Sequence, residues 1–330
     1  MTDSKIPYAG IWPALLTPLT ANLDIDIPSF ARHSLGLIDA GCTGVTPFGT
    51  TGEGPSFSVG ERIAAVDGLI AGGVPAARIL VSTSAAALPD AVALTRHAVQ
   101  SGCFGVLLLP PFFLKGVPDQ GIIDAYAQII DKVGDGRLRV VLYHIPQVSG
   151  VPLSHHVIAS LKQRYPNTIV GIKDSSGQRE GSLDLARAFM APEPQANGPV
   201  QANGAAQANG SSMQVWVGNE PDLQVLAAQG SIGAVSGVAN VMPHLLQRLT
   251  ARFDAANPDP RAARDMARVK AFIDILGGYG MTAAFKGIMA ILNDDPGWRR
   301  VRAPLVALTD AEFERLQGQM KAFALDRSLD

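Results

Sequence analysis

The chain has 330 residues, 47% hydrophobic and 17% charged, which supports a large buried core and excludes a disordered chain. A formal net charge of −2 supplies no electrostatic footprint for nucleic acid or an anionic membrane, so neither is expected as a partner. Cys42 and Cys103 each follow a glycine at the start of an apolar run and read as buried free thiols of a reducing compartment, with a bridge left open by sequence alone. Residues 1–6 lack the apolar core of a secretory signal and no stretch has the uncharged length to span a bilayer, so the expected location is cytoplasmic.

From residue 10 onward apolar runs alternate with amphipathic stretches. The strand-like runs occupy 10–16, 44–48, 78–83, 105–109, 139–143, 168–173, 215–218 and 232–236. Helix-like segments, with apolar residues at three- and four-residue spacing, follow them at about 27–40, 58–73, 88–101, 119–132, 153–164, 179–190, 221–229 and 242–255. Several open on capping or first-turn signals, such as Asp26 with Pro28, Pro89-Asp90 and Pro118-Asp119. Eight strand–helix units in succession require parallel strands, and eight is the number that closes a (β/α)8 TIM barrel. A doubly wound open sheet is the competing architecture, but no Gly-x-Gly-x-x-Gly turn follows the first run.

Beyond about residue 258 the pattern becomes helical alone, at 262–276, 282–293 and 310–325, with breaks at Gly277-Gly278 and Pro296-Gly297. We read residues 1–257 as a catalytic barrel and 258–330 as a C-terminal helical region packed on it. One stretch is out of keeping. Gln-Ala-Asn-Gly recurs at 195–198, 201–204 and 207–210 within a low-complexity segment, 191–212. A repeat so short and polar cannot bury a core, so it reads as a loop insertion on the N-terminal face of the barrel.

Groups at the carboxyl ends of barrel strands converge on one pocket. Three of these ends carry complementary chemistry: Gly49-Thr50-Thr51-Gly52-Glu53-Gly54 after the second run, Tyr143-His144-Ile145-Pro146 at the fifth, and Lys173 at the sixth. The hydroxyls of Thr50 and Thr51, with adjacent backbone N–H groups in a Gly-flanked turn, suit a carboxylate. A tyrosine ending an apolar strand buries its ring while its hydroxyl reaches the cavity to shuttle protons. An amine above a buried strand can lose its proton to desolvation and attack a carbonyl carbon, forming a Schiff base. Each residue alone has an ordinary reading: a solvated lysine, a tight turn, a core aromatic. Together on one rim they read as a site. The histidines at 33, 97, 144, 155, 156 and 244 show no zinc-ligand spacing, and neither a metal nor an organic cofactor is expected.

Two longer motifs carry a resemblance. Gly44-Val45 through Gly54, with Glu61 following, and Tyr143-His-Ile-Pro146, Ser149 and Ile169 through Ser175 resemble the two motifs of the dihydrodipicolinate synthase / N-acetylneuraminate lyase family. The resemblance runs from about residue 8 to the C-terminus, interrupted by the repeat insertion. It implies a homo-oligomeric barrel, tetramer or dimer, acting as a class I aldolase or lyase on a pyruvate-type 2-oxo acid and an aldehyde. By motif position it implies Lys173 as the Schiff-base lysine, Tyr143 as the proton relay, and Thr50 and Thr51 as the carboxylate cradle linked to that tyrosine. It also implies that the backbone carbonyl of Val235 faces the site.

The departures concern the second substrate. The arginine that grips the carboxylate of aspartate semialdehyde in the synthase proper is replaced by Val148, and that loss is not conservative. The tyrosine given to a neighbouring subunit's relay appears as Phe112-Phe113, and of the acidic pair used by sialic-acid lyases only Glu220 has a counterpart, in Gly218-Asn219-Glu220-Pro221. The leading expectation is a Schiff-base lyase, aldolase or dehydratase whose partner pocket is built from Phe48, Phe112, Phe113 and Val148, with Gly52 beside the cradle. The alternatives are dihydrodipicolinate synthase proper, with carboxylate recognition moved elsewhere, and a keto-acid-binding barrel without turnover, which would need neither nucleophile nor relay.

Overall fold

A computed structural model of the chain describes residues 9–190, 213–231, 233–251, 260–325 and 330. The repeat segment, expected as a loop insertion, lies outside the described residues. Among the described residues seven strands form one sheet: β1 (Gly10–Pro13), β2 (Leu80–Ser82), β3 (Gly105–Leu108), β4 (Val140–His144), β5 (Ile169–Asp174), β6 (Gln214–Val217) and β7 (Gly233–Ser236). Their order is β1-β7-β6-β5-β4-β3-β2, and every neighbouring pair is parallel.

The expected second strand, 44–48, is reduced to two bridging residues. Ala14 pairs with Thr46 and Val45 with Ile79, both in parallel. Thr46 N donates to Pro13 O at 2.8 Å, and Val45 N donates to Arg78 O at 2.8 Å. These bonds join β1 to β2, so the sheet closes on itself and the eighth barrel position is filled by a stub. The stub ends where it does because Pro47 has no N–H for the ladder and Phe48 turns to φ 64°.

Helices α1 (Ile27–Asp39), α2 (Val59–Ala71), α3 (Leu88–Gln100), α4 (Asp119–Val133), α5 (Pro146–Ser149), α6 (His155–Arg164), α7 (Arg179–Phe189), α8 (Leu223–Ala227) and α9 (Pro243–Ala251) follow the strands. Of the expected start signals, the one at Asp26 makes a side-chain cap, whereas α3 and α4 start beside Pro89 and Pro118 without one. Asp26 caps α1 through Ser29 N, and Ser58 with Glu61 forms a full capping box on α2. The short α5 is absent from the periodicity reading; Pro146 at its first turn presets the helical φ.

The strands bury side chains on both faces. Val140, Leu142 and Ile172 pack outward against helices, whereas Trp12, Leu107, Val141, Tyr143 and Trp216 fill the barrel interior. Glycine makes room for the indoles: a Cβ on Gly171 would lie 2.2 Å from the Trp216 ring, and one on Gly44 2.3 Å from Trp12. Truncating either tryptophan to alanine should cost about 3–5 kcal/mol.

The C-terminal region consists of α10 (Pro260–Leu276), α11 (Met281–Asn293) and α12 (Asp310–Phe323), with α10 and α11 bent by 110° at the glycine break. Phe272, Ile288 and Leu316 belong to the same hydrophobic core as Leu15 and Phe48, so these helices continue the barrel's packing. Among the described residues, no single helix is long and apolar enough to cross a membrane.

Candidate active site

Strand alternation builds the centre of the site. Tyr143 and Lys173 are register partners on β4 and β5, so both side chains leave the sheet on its inner side. Lys173 is only 4% exposed, and its Nζ sits 4.3 Å from the centroid of the Tyr143 ring. The Tyr143 hydroxyl is 3.2 Å from Thr50 Oγ1. The next pair along, His144 and Asp174, points the other way. His144 Nδ1 accepts from Leu153 N at 3.1 Å, and burial holds the imidazole below its usual range against the opposing pull of Asp174. Asp174 is taken up by Ser176 N and the Ser182 hydroxyl.

Thr50 and Thr51 are presented by a loop folded tightly on itself. Gly54 N donates to Gly49 O at 3.1 Å, and Glu53 holds a left-handed φ of 55°. A Cβ on Gly54 would fall 1.8 Å from Phe48 O, and one on Gly52 2.1 Å from Leu15 O, so only glycine fits at either place.

These groups open into a cavity of about 420 Å³. Lys173, Tyr143, Thr50, Thr51, Val235 and Val148 all line it, so six of the eight expected site residues face one space. Phe48 and Gly52 do not. The left-handed turn at Phe48 leaves its ring in the core, edge-on to Phe30 and Phe57 with Arg62 at 5.7 Å. Gly52 serves the loop's backing, its carbonyl accepting from Thr17 Oγ1 at 2.9 Å. Phe112 and Phe113 are also outside the lining. Lys115 Nζ donates to Phe112 O and Ser149 O, and the loop so held turns Phe113 outward to 75% exposure.

The apolar wall comes instead from the C-terminal helices, as Ile273, Leu276, Met281 and Phe285. Nothing in a linear reading pairs these positions with Lys173. A polar wall faces the cavity through Gln147, Ser175, Asn219 and Glu220. Ser175 was within reach of sequence reasoning, because it lies two residues past Lys173 and strand alternation returns it to the same side. Its buried Oγ has no hydrogen-bond partner, while Gln147 Nε2 donates to its carbonyl at 2.6 Å. Glu220 is buried, with Oε1 accepting from Ser236 Oγ at 2.5 Å. Among the described lining residues Lys173 is the one cationic side chain. The described residues contain no group of three His, Cys, Asp or Glu arranged to hold a metal ion.

The closed parallel barrel with its chemistry gathered at the carboxyl rim places the chain among the barrel enzymes that work from their strand ends. Residues 7–191, more than half of the chain, match the profile of the Dihydrodipicolinate synthetase family, and the chain belongs to that family. It is accordingly a class I lyase or aldolase.

A DapA-like lyase of Chloroflexus aurantiacus is 31% identical over 312 residues, covering 93% of this chain and 94% of the relative. A 4-hydroxy-tetrahydrodipicolinate synthase of Rhizobium meliloti is 30% identical over 251 residues, covering 76% and 75%. The crystal structure of dihydrodipicolinate synthase from Agrobacterium tumefaciens superposes with a TM-score of 0.80 at 28% identity, over 95% of this chain and 99% of that one. Proteus mirabilis N-acetylneuraminate lyase shares the fold, with a TM-score of 0.78 at 23% identity over 96% and 99% of the two chains.

Proposed function

We propose that the protein captures a pyruvate-type 2-oxo acid as an imine on Lys173 and then joins it to, or releases from it, an aldehyde. The observation that carries this is the continuous set Lys173 Nζ, Tyr143 ring and hydroxyl, and Thr50 hydroxyl on one cavity wall. The unprotonated amine attacks the keto carbon, giving a carbinolamine. Tyr143 donates its proton to the departing hydroxyl, which leaves as water, and the resulting phenolate removes a proton from C3 to give the enamine. The enamine carbon then bonds to the aldehyde carbon while Tyr143 returns the proton to the new alkoxide. Water finally adds to the imine and frees Lys173. Cleavage runs the same steps backward, and the same imine supports loss of water from a 2-oxo sugar acid. Thr50, Thr51 and their backbone N–H groups hold the carboxylate, and Thr50 keeps the phenol aligned. Every step is supplied by the lysine, the tyrosine and water, so the proposal includes no metal or organic cofactor.

For the second substrate, an uncharged, hydroxyl-bearing aldehyde is favoured. Glu220 offers an acceptor, the α10–α11 wall is apolar, and no arginine or second lysine lines the cavity among the described residues. Dihydrodipicolinate synthase proper, with aspartate semialdehyde, would bind its second carboxylate without a bidentate partner there. A keto-acid binder without turnover has no use for the relay. We take residues 1–257 as the catalytic barrel and 258–330 as helices that complete its cavity. The exposed Phe113 and Leu114 support a homo-oligomer, dimer or tetramer, and the free thiols accord with a cytoplasmic location.

The test is to incubate the protein with pyruvate, reduce with borohydride and map the adduct by mass. An adduct on Lys173, absent from folded Lys173→Ala, is expected; none on the parent protein refutes the imine. An aldehyde panel that includes aspartate semialdehyde then separates the two substrate readings.

A further inference from the structure

The loop bearing Thr50 and Thr51 is tied to the C-terminal helices by a buried ion pair. Lys286, in the middle of α11, donates from Nζ to Glu53 Oε1, and both side chains are 0% exposed. Each member of the pair has a second partner. Lys286 Nζ also donates to Arg300 O at 2.6 Å, and the other carboxylate oxygen of Glu53 accepts from Arg302 N at 3.0 Å. Its neighbourhood is the site itself. Phe285, beside Lys286, lines the cavity. A Cβ on Gly237 would lie 3.2 Å from Thr51 Oγ1 and 3.3 Å from the Phe285 ring, so the loop, the exit of β7 and α11 meet at one point.

We infer that Glu53 and Lys286 are positioning residues for the reaction, their ion pair setting the 49–54 loop so that the Thr50 hydroxyl meets Tyr143. Neither touches the reacting atoms, and the inference rests on the Tyr143 relay proposed above. Stability is not what such a pair supplies best, because desolvating two charges offsets most of their attraction. Burial indeed pushes the Lys286 ammonium down, with Glu53 opposing the shift. What the pair does supply is one geometry. With a partner on each carboxylate oxygen, the Glu53 side chain is anchored at both ends of its carboxylate, and its backbone holds the left-handed setting three residues from Thr50.

The test uses the neutral pair Glu53→Gln/Lys286→Met in the full chain, since either charge alone would be left buried without its partner. Two readouts are needed. The first is exchange of pyruvate methyl protons with deuterated solvent, followed by proton NMR, which reports imine–enamine proton transfer without a second substrate. The second is amide hydrogen exchange over residues 46–57, which needs no activity.

The double variant is expected to melt within a few degrees of the parent and still form the trapped adduct. Its methyl exchange should slow by about tenfold to a hundredfold, and its 46–57 amides should lose protection. Adding Thr50→Val should then cost little beyond Thr50→Val alone, because both changes break one link. Unchanged loop protection, full-rate methyl exchange, or losses that multiply would each overturn the inference. Failure of the parent to form an adduct or exchange methyl protons would overturn the relay reading instead, leaving the loop readout to decide the positioning role. Glu53→Gln alone keeps an amide acceptor toward Lys286 but leaves the buried ammonium without its counter-charge. It should melt below the double variant and lose at least as much in both readouts, and parent-like values in both would overturn the inference.

Discussion

Replacing Tyr143 by phenylalanine separates imine capture from proton transfer. The ring is buried and lies against the Lys173 amine at 4.3 Å, and phenylalanine keeps that packing. What is removed is one hydroxyl and its 3.2 Å hydrogen bond to Thr50. A single such bond contributes about 0.5–1.5 kcal/mol to stability, so the variant should fold and melt within a few degrees of the parent. A positioned acid–base group contributes about 10²–10⁴-fold to rate, which corresponds to roughly 2.7–5.4 kcal/mol of barrier. The kinetic term therefore exceeds the structural one. Methyl-proton exchange of pyruvate in deuterated solvent should fall by at least about a hundredfold. Borohydride should still trap an adduct on Lys173, more slowly. Exchange within about threefold of the parent would refute the relay role. Complete loss of adduct from a folded variant would show that Tyr143 is needed for capture itself.

Val148→Arg, at an exposed position of the cavity lining, supplies a guanidinium where the described lining has none. It should raise kcat/KM for aspartate semialdehyde while leaving pyruvate adduct formation unchanged; equal effects on anionic and neutral aldehydes would count against a carboxylate clamp. Gly54→Ala forces a Cβ against Phe48 O and should destabilise by about 1–3 kcal/mol in thermal melts. Gly60→Ala, with nothing within 4 Å, should be neutral or stabilising, and similar losses in both would refute the close-packed loop.

Burial pushes the thiols of Cys42 and Cys103 up to about 12. They should resist alkylation at pH 8 until urea unfolds the chain. The unfolded thiols ionise near their ordinary value, about 8.5, while the folded ones keep their protons. Above that pH the unfolded state binds fewer protons, so stability should fall as pH rises from about 9 toward 12. Rapid alkylation of both thiols in folded protein at pH 8 would contradict this.

The barrel was legible because its strands are buried on both faces and so read as short apolar runs at a steady beat. The strand reduced to a stub, 44–48, contains the reason in its own letters: it is apolar enough for a strand, but Pro47 cannot donate to a ladder. The catalytic half was legible for a similar reason. Strand ends say which side chains gather at the rim, and they place Tyr143 and Lys173 on adjacent strands, where the structure has them as register partners. Phe48, Phe112 and Phe113 qualify for the pocket by chemical type, and type does not say which way a loop turns its side chain. The far wall was out of reach, because Ile273, Leu276, Met281 and Phe285 enter only when α10 and α11 fold back over the rim. Lys286 lies between these cases. A single lysine inside the apolar run 283–291 of α11 has no solvent face to snorkel toward, and a cation buried all round requires an acid nearby. That much can be deduced from the letters alone. The acid itself is Glu53, 233 positions away, and it is found only once the barrel has closed and set the motif loop beneath the helix.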